Sequence, residues 1–106
     1  MNRVLVVDDE QSMREMLGIV MRKEGYQVVM ADSRAQAAAV LSHQAIDLVV
    51  TDVRLPDGDG IEILRHVKAA TPETIVIVLT AHGSTEIAVA ARKLGAEAYV
   101  CLLYTS

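Results

Sequence analysis

The sequence predicts an α/β domain built as (βα)4β, a single parallel sheet with helices packed on both faces. Three observations carry that expectation. Short β-branched runs alternate strictly with longer segments of helical period, which implies right-handed βαβ units. The runs Leu48-Val49-Val50 and Ile75-Val76-Ile77-Val78-Leu79 are apolar at every position, as strands covered on both faces are. A length of 106 residues accommodates one domain and excludes a two-domain enzyme.

The elements follow in order. A first strand is expected at Val4–Val7. Gln11–Glu24 then carries Met13, Met16, Leu17, Val20 and Met21 at the i, i+3, i+4 spacing of a core-facing stripe, and Gly25 stops it. Gln27–Met30 is the second strand. Ser33 and Gln36 form a capping box for a helix running to about Ser42. Leu48–Asp52 is the third strand, followed by a turn over Val53–Gly60 rich in Pro56, Asp57-Gly58 and Asp59-Gly60. Asp59 and Glu62 repeat the capping signal for a helix over Gly60–Ala70, with Pro72 just beyond its end. Ile75–Thr80 is the fourth strand. Ser84 caps a fourth helix containing Ile87, Ala88, Ala91 and Leu94, which stops at Gly95, and Ala98–Val100 is the fifth strand. There is no linker or repeat, and Ala37–Ala39 is a small-residue helix face.

Composition narrows the function classes. The chain is 52% hydrophobic but has no Phe or Trp, so aliphatic residues and Met must fill the core, and Tyr26, Tyr99 and Tyr104 are the only aromatics. A chain of this size buries roughly 60–68% of its unfolded surface, enough for a core without staples. One cysteine, Cys101, allows no internal disulfide and fits a reducing compartment. The net charge of −4 argues against a nucleic-acid surface, which normally shows a basic stripe. The longest buried-type apolar run is far below the ~18 residues that span a bilayer. Val4–Val7 ends at once in Asp8-Asp9-Glu10, unlike a signal peptide. A cytoplasmic location is therefore expected, with no membrane partner. His43, His66 and His82 lack zinc-site spacing. The first two are expected on solvent-facing helix positions, and His82 falls in the loop after Thr80.

In open parallel sheets, ligands bind at the carboxyl ends of the strands. Here the first strand ends in Asp8-Asp9-Glu10, the third in Asp52 and the fourth in Thr80. Three carboxylates brought together cannot all stay ionised without compensation. A hard divalent cation supplies it, and Mg2+ takes one or two carboxylates, a carbonyl and water. The simpler alternative is that Asp8 or Asp9 caps the following helix. One acid suffices for a cap, so the pair together with Asp52 favours metal binding. A carboxylate beside such a cation can act as a nucleophile toward phosphorus. Asp52 is not needed for the turn that follows, and Thr80 could donate its hydroxyl to a phosphoryl oxygen.

These residues resemble a response-regulator receiver domain of two-component signalling. The matching pieces are Val4-Leu5-Val6-Val7-Asp8-Asp9-Glu10, Asp52-Val53-Arg54-Leu55-Pro56-Asp57-Gly58-Asp59-Gly60, Leu79-Thr80-Ala81-His82-Gly83 and Gly95-Ala96-Glu97-Ala98-Tyr99-Val100. The resemblance implies a flavodoxin-like, doubly wound sheet of strand order 2-1-3-4-5. It implies that Asp52 accepts a phosphoryl group from a sensor histidine kinase. Asp9, Asp52 and the Arg54 backbone carbonyl would ligate Mg2+, with Asp8 acting mainly through water. Thr80 and Tyr99 would be the switch pair, the hydroxyl moving toward the phosphoryl group and the ring turning inward. Thr80-Ala81-His82-Gly83-Ser84-Thr85-Glu86 is similar to receivers of nitrogen-regulation-type transcriptional activators, which carry an AAA+ ATPase and a DNA-binding domain not encoded in these residues.

The sequence departs from that family at its end. A Lys-Pro pair normally follows the fifth strand, but Cys101 and Leu102 stand at the corresponding positions, and the fifth helix is missing. The lysine would pair with the phosphoryl group. Lys68 and Lys93 lie on predicted helices and point elsewhere. Without the fifth helix, part of one sheet face and the inner side of the first helix would be bare, so marginal stability or self-association is expected. Residues 1–100 are therefore expected to form an incomplete receiver domain. Residues 101–106, back-translated as TGT CTC TTA TAC ACA TCT, match a transposon-end sequencing adapter and are expected to be a foreign tail.

Two other functions compete with a phosphoacceptor module. A Mg2+-dependent aspartyl-phosphate phosphohydrolase of the haloacid-dehalogenase type needs Asp-x-Asp at its first strand, whereas Asp8 and Asp9 are adjacent. A nucleotide-binding module would show Gly-x-Gly-x-x-Gly after that strand, and none is present. The domain is thus expected to catalyse nothing beyond its own phosphorylation and dephosphorylation. A fragment without function is the remaining alternative.

Overall fold

The computed structural model describes residues 2–80, 95 and 98–101, with 80 and 98–101 described only by their place in the sheet. The elements are β1 (Arg3–Val7), α1 (Gln11–Lys23), β2 (Gln27–Ala31), α2 (Arg34–His43), β3 (Leu48–Asp52), β4 (Arg54–Leu55), β5 (Gly58–Asp59), α3 (Gly60–Ala70), β6 (Ile75–Thr80) and β7 (Ala98–Cys101). The expected fourth helix over 84–94, His82 and Lys93 lie outside the described residues.

Five parallel strands form one sheet in the order β2-β1-β3-β6-β7. This is the 2-1-3-4-5 order of the flavodoxin-like fold, because β4 and β5 form a separate two-stranded ladder. That ladder corrects the plain turn expected over Val53–Gly60: Arg54 pairs with Asp59 and Leu55 with Gly58, antiparallel. Two residues, Pro56 and Asp57, connect the pair, the loop length typical of a tight hairpin.

Alternate residues of the central strands feed two cores. Leu5, Val7, Val49, Val76 and Val78 pack with Ala37 of α2 and Ile63, Leu64 and Val67 of α3. Val4, Val6, Leu48 and Val50 face the other way, toward Leu17 and Met21 of α1. Full burial of such a side chain contributes about 1.5–3 kcal/mol.

The helix ends follow their sequence signals. Ser33 Oγ accepts from Gln36 N at 3.1 Å, and Asp59 Oδ1 accepts from Glu62 N at 2.9 Å. Gln36 Oε1 reaches back to Asp32 N rather than to the cap residue itself. Gly25 at φ 93° ends α1, a conformation that favours glycine.

The stripe expected on α1 is only half correct. Leu17 and Met21 pack inward, but Met16 and Val20 are 49% and 48% exposed, joined by Ile19 at 53%. The reason lies in Gly18, the one fully buried residue of the helix. A Cβ there would lie 2.5 Å from Met30 Cε on β2, so α1 leans on the sheet through its glycine. Met16, Ile19 and Val20 are turned aside and left half exposed.

Candidate acidic site

Parallel pairing of β1 with β3 sets Val7 beside Thr51, so the next residues, Asp8 and Asp52, emerge side by side at the strand ends. Asp9 follows directly. Each of the three offers a carboxylate oxygen, and these oxygens lie within 4.8 Å of one another. Asp8 is buried, Asp52 half-buried and Asp9 exposed.

The main chain of Asp8 is fixed from two sides. Its amide donates to Ala31 O at 3.1 Å, and Arg14 Nη1 donates to its carbonyl at 2.7 Å. Asp8 Oδ1 accepts from Glu10 N at 2.9 Å. Glu10 is the N-cap of α1 and makes no side-chain capping bond. Neither aspartate therefore holds the usual capping place, and the metal-binding alternative gains.

Burial raises the Asp8 carboxyl from 3.8 to about 6; the Glu10 amide opposes that shift, and the charges of Asp52 and Asp9 reinforce it. A buried acid pushed upward by its neighbours is a site short of positive charge. All donors are oxygens, two carboxylates flank the buried one, and solvent reaches Asp9. That donor set fits Mg2+.

Asp52 Oδ1 accepts from Val53 N at 2.7 Å, and Thr51 Oγ1 donates to the Asp52 carbonyl. Gly60, the first residue of α3, sits directly against that carbonyl, and a Cβ would collide with it. Gly60 N also donates to Val53 O at 2.8 Å, closing the loop back onto β3. Arg54 lies within this loop, on β4, with its side chain exposed.

Thr80 ends β6, one residue beyond Leu79, which pairs with Asp52. Its backbone therefore shares the carboxylate edge of the sheet. Tyr99 lies on β7 beside Val78. The side chains of both fall outside the description. β7 runs one residue further than expected, with Cys101 beside Thr80. The positions directly after the strand are thus 102 and 103, not 101 and 102, and both are leucines. Lys68 is remote, as anticipated: its ammonium donates to Pro72 O and Thr74 O. His43 and His66 are exposed on their helices.

Sequence reasoning missed two residues. Arg14 buttresses Asp8; the available signal was a cation near the start of a helix, where the dipole disfavours it. Asp57 was assigned to turn chemistry, yet its carboxylate bonds to α2.

The family described as response regulator receiver domain matches residues 4–101, and the chain belongs to it. Transcriptional regulatory protein GlrR of Escherichia coli (strain K12) is 40% identical over 92 residues, 87% of this chain and 21% of that protein. The chain thus spans about a fifth of that relative's length. The NtrC4 receiver domain, solved as a beryllofluoride-activated dimer, aligns at a TM-score of 0.90 and 37% identity, covering 99% of this chain and 87% of that one. TrrA of Thermotoga maritima, solved in complex with Mg2+ and BeF, aligns at 0.86 and 28%, covering 99% and 90%. The similarity to nitrogen-regulation-type activators is borne out, and the domain belongs to phosphorelay signalling.

Proposed function

We propose that Asp52 is the phosphoacceptor of this domain, charged by a sensor histidine kinase. The single observation that carries this reading is the convergence of Asp8, Asp9 and Asp52 at one sheet edge. An Asp52 carboxylate oxygen attacks the phosphorus of a phosphohistidine; the P–N bond breaks, its electron pair returns to the ring nitrogen, and Asp52 is left as an acyl phosphate. Asp8, Asp9, Asp52 and the Arg54 carbonyl would hold Mg2+, which when bound neutralises charge on the transferring group. Thr80 then donates its hydroxyl to a phosphoryl oxygen, and Tyr99 completes the switch.

The wider role follows from the relatives. In a longer protein, the domain would govern an AAA+ ATPase and a DNA-binding output, and it would self-associate as the NtrC4 receiver does in its dimer. The receiver itself contacts no nucleic acid. A cytoplasmic location accords with the described residues, among which no helix is long and apolar enough to cross a membrane.

Incubation with Mg2+ and acetyl phosphate followed by intact-mass measurement tests the assignment. One phosphate adduct is expected, absent from Asp52→Asn and absent without the cation. Steady phosphate release with no adduct on Asp52 would instead indicate a hydrolase.

A further inference from the structure

A helix leaves its first amide donors without partners in the helix. In α2 they are satisfied from two places. Ser33 serves Gln36 N locally, whereas Asp57, 23 residues away, serves the first two amides. Asp57 Oδ1 accepts from Arg34 N at 2.7 Å, and Oδ2 accepts from Ala35 N at 2.9 Å. Arg34 answers: its Nε donates to Asp57 O at 3.3 Å and lies 3.4 Å from Glu62 Oε2 on α3. Gly58 lies beneath the same side chain, where a Cβ would stand 2.6 Å from Arg34 Cδ.

The clamp grips the apex of the β4–β5 hairpin. That ladder has two residue pairs, Arg54 with Asp59 and Leu55 with Gly58, and a ladder so short does not hold itself. The clamp also closes a circuit. The Asp8 amide is bonded to Ala31, the last residue of β2; Asp32 and Ser33 lead into α2; Asp57 ties α2 to the hairpin; and the hairpin returns to Asp52. The carboxylates sit at the two ends of this circuit.

We propose that Asp57 is a positioning residue for the acidic site: by docking the hairpin on α2, its carboxylate holds in place the chain that leaves Asp52 through Arg54. This inference rests on the reading of the site as one for a divalent cation. Outer partners that orient metal ligands typically change affinity about 10–100-fold when removed. A loop anchor acts at one remove, so the lower end of that range applies.

The test is a MgCl2 titration followed by amide shifts of the site residues in 1H–15N spectra, with thermal melts alongside. Asp57→Ala is expected to raise the magnesium midpoint about tenfold. Asp57→Asn keeps one acceptor oxygen and should fall between Asp57→Ala and the parent. Ser33→Ala removes a cap from the same helix without touching the hairpin; it should lower the melting temperature yet leave the midpoint where it was. A midpoint unmoved by both Asp57 variants overturns the proposal, as does a Ser33→Ala shift equal to that of Asp57→Ala. A parent chain with no magnesium response overturns the metal reading and this inference with it, whereas a normal parent response that Asp57→Ala leaves intact overturns the role of Asp57 alone.

Discussion

α1 and α3 carry similar stripes and cover opposite faces of one sheet, yet they meet it differently. α3 buries Gly60, Ile63, Leu64 and Val67, and its cap Asp59 bonds to Glu62 N. α1 buries Gly18 alone, leaves Met16, Ile19 and Val20 half exposed, and begins at Glu10 without a side-chain cap. Periodicity therefore identifies the side of a helix that prefers a core, but not the depth to which it sinks. Depth is set by what the neighbours leave open, and a glycine at the contact point lets the backbone approach while the large side chains swing wide.

Breaking that contrast should have its largest effect at Leu64, which is fully buried. Leu64→Ala is expected to cost about 2–5 kcal/mol in urea unfolding, by lost transfer energy plus a residual cavity.

The next effect is electrostatic and belongs to the lead into α1. Because the folded-state Asp8 carboxyl titrates near 6 rather than 3.8, the folded chain holds the extra proton between those values. The contribution of Asp8 to stability is thus most favourable below about pH 4, declines as pH rises toward 6, and stays reduced above it. The penalty at neutral pH is about 2 kcal/mol after allowance for solvent screening. Asp8→Asn should flatten that decline in melts taken across the range. Magnesium should raise the melting temperature of the parent more at pH 7.5 than at pH 4.5.

Caps sharpen the comparison further. Asp59→Ala should destabilise by about 1 kcal/mol, whereas Glu10→Ala, with no capping bond to lose, should be nearly silent in the same denaturant series. The smallest effect is expected at Met16. Met16→Lys should change stability by less than about 0.5 kcal/mol. Should it cost as much as Leu64→Ala, the exposure of α1 would be wrong.

Much of this was legible in the residues themselves. Alternation and apolar runs located the five strands of the parallel sheet and the three described helices within about two residues, the usual spread at element ends. The strand-end acids were legible because parallel topology dictates where residues 8 and 52 must go. What escaped depended on pairing across distance. Nothing local links Asp57 to the amides of Arg34 and Ala35, and Asp57-Gly58 is also an ordinary turn signal. The β4–β5 ladder hid inside that signal. Arg14 drew no notice in the sequence, because its partner is a backbone carbonyl, which any residue possesses.

Gly60 has a mechanical consequence. The start of α3 rests on the carbonyl of Asp52 with no room for a methyl group and is bonded to Val53 O in the same turn. Such a joint has no backlash. Any side chain larger than hydrogen at position 60 would have to push apart the end of β3 and the first turn of α3, whose packing through Ile63, Leu64 and Val67 leaves little room to yield.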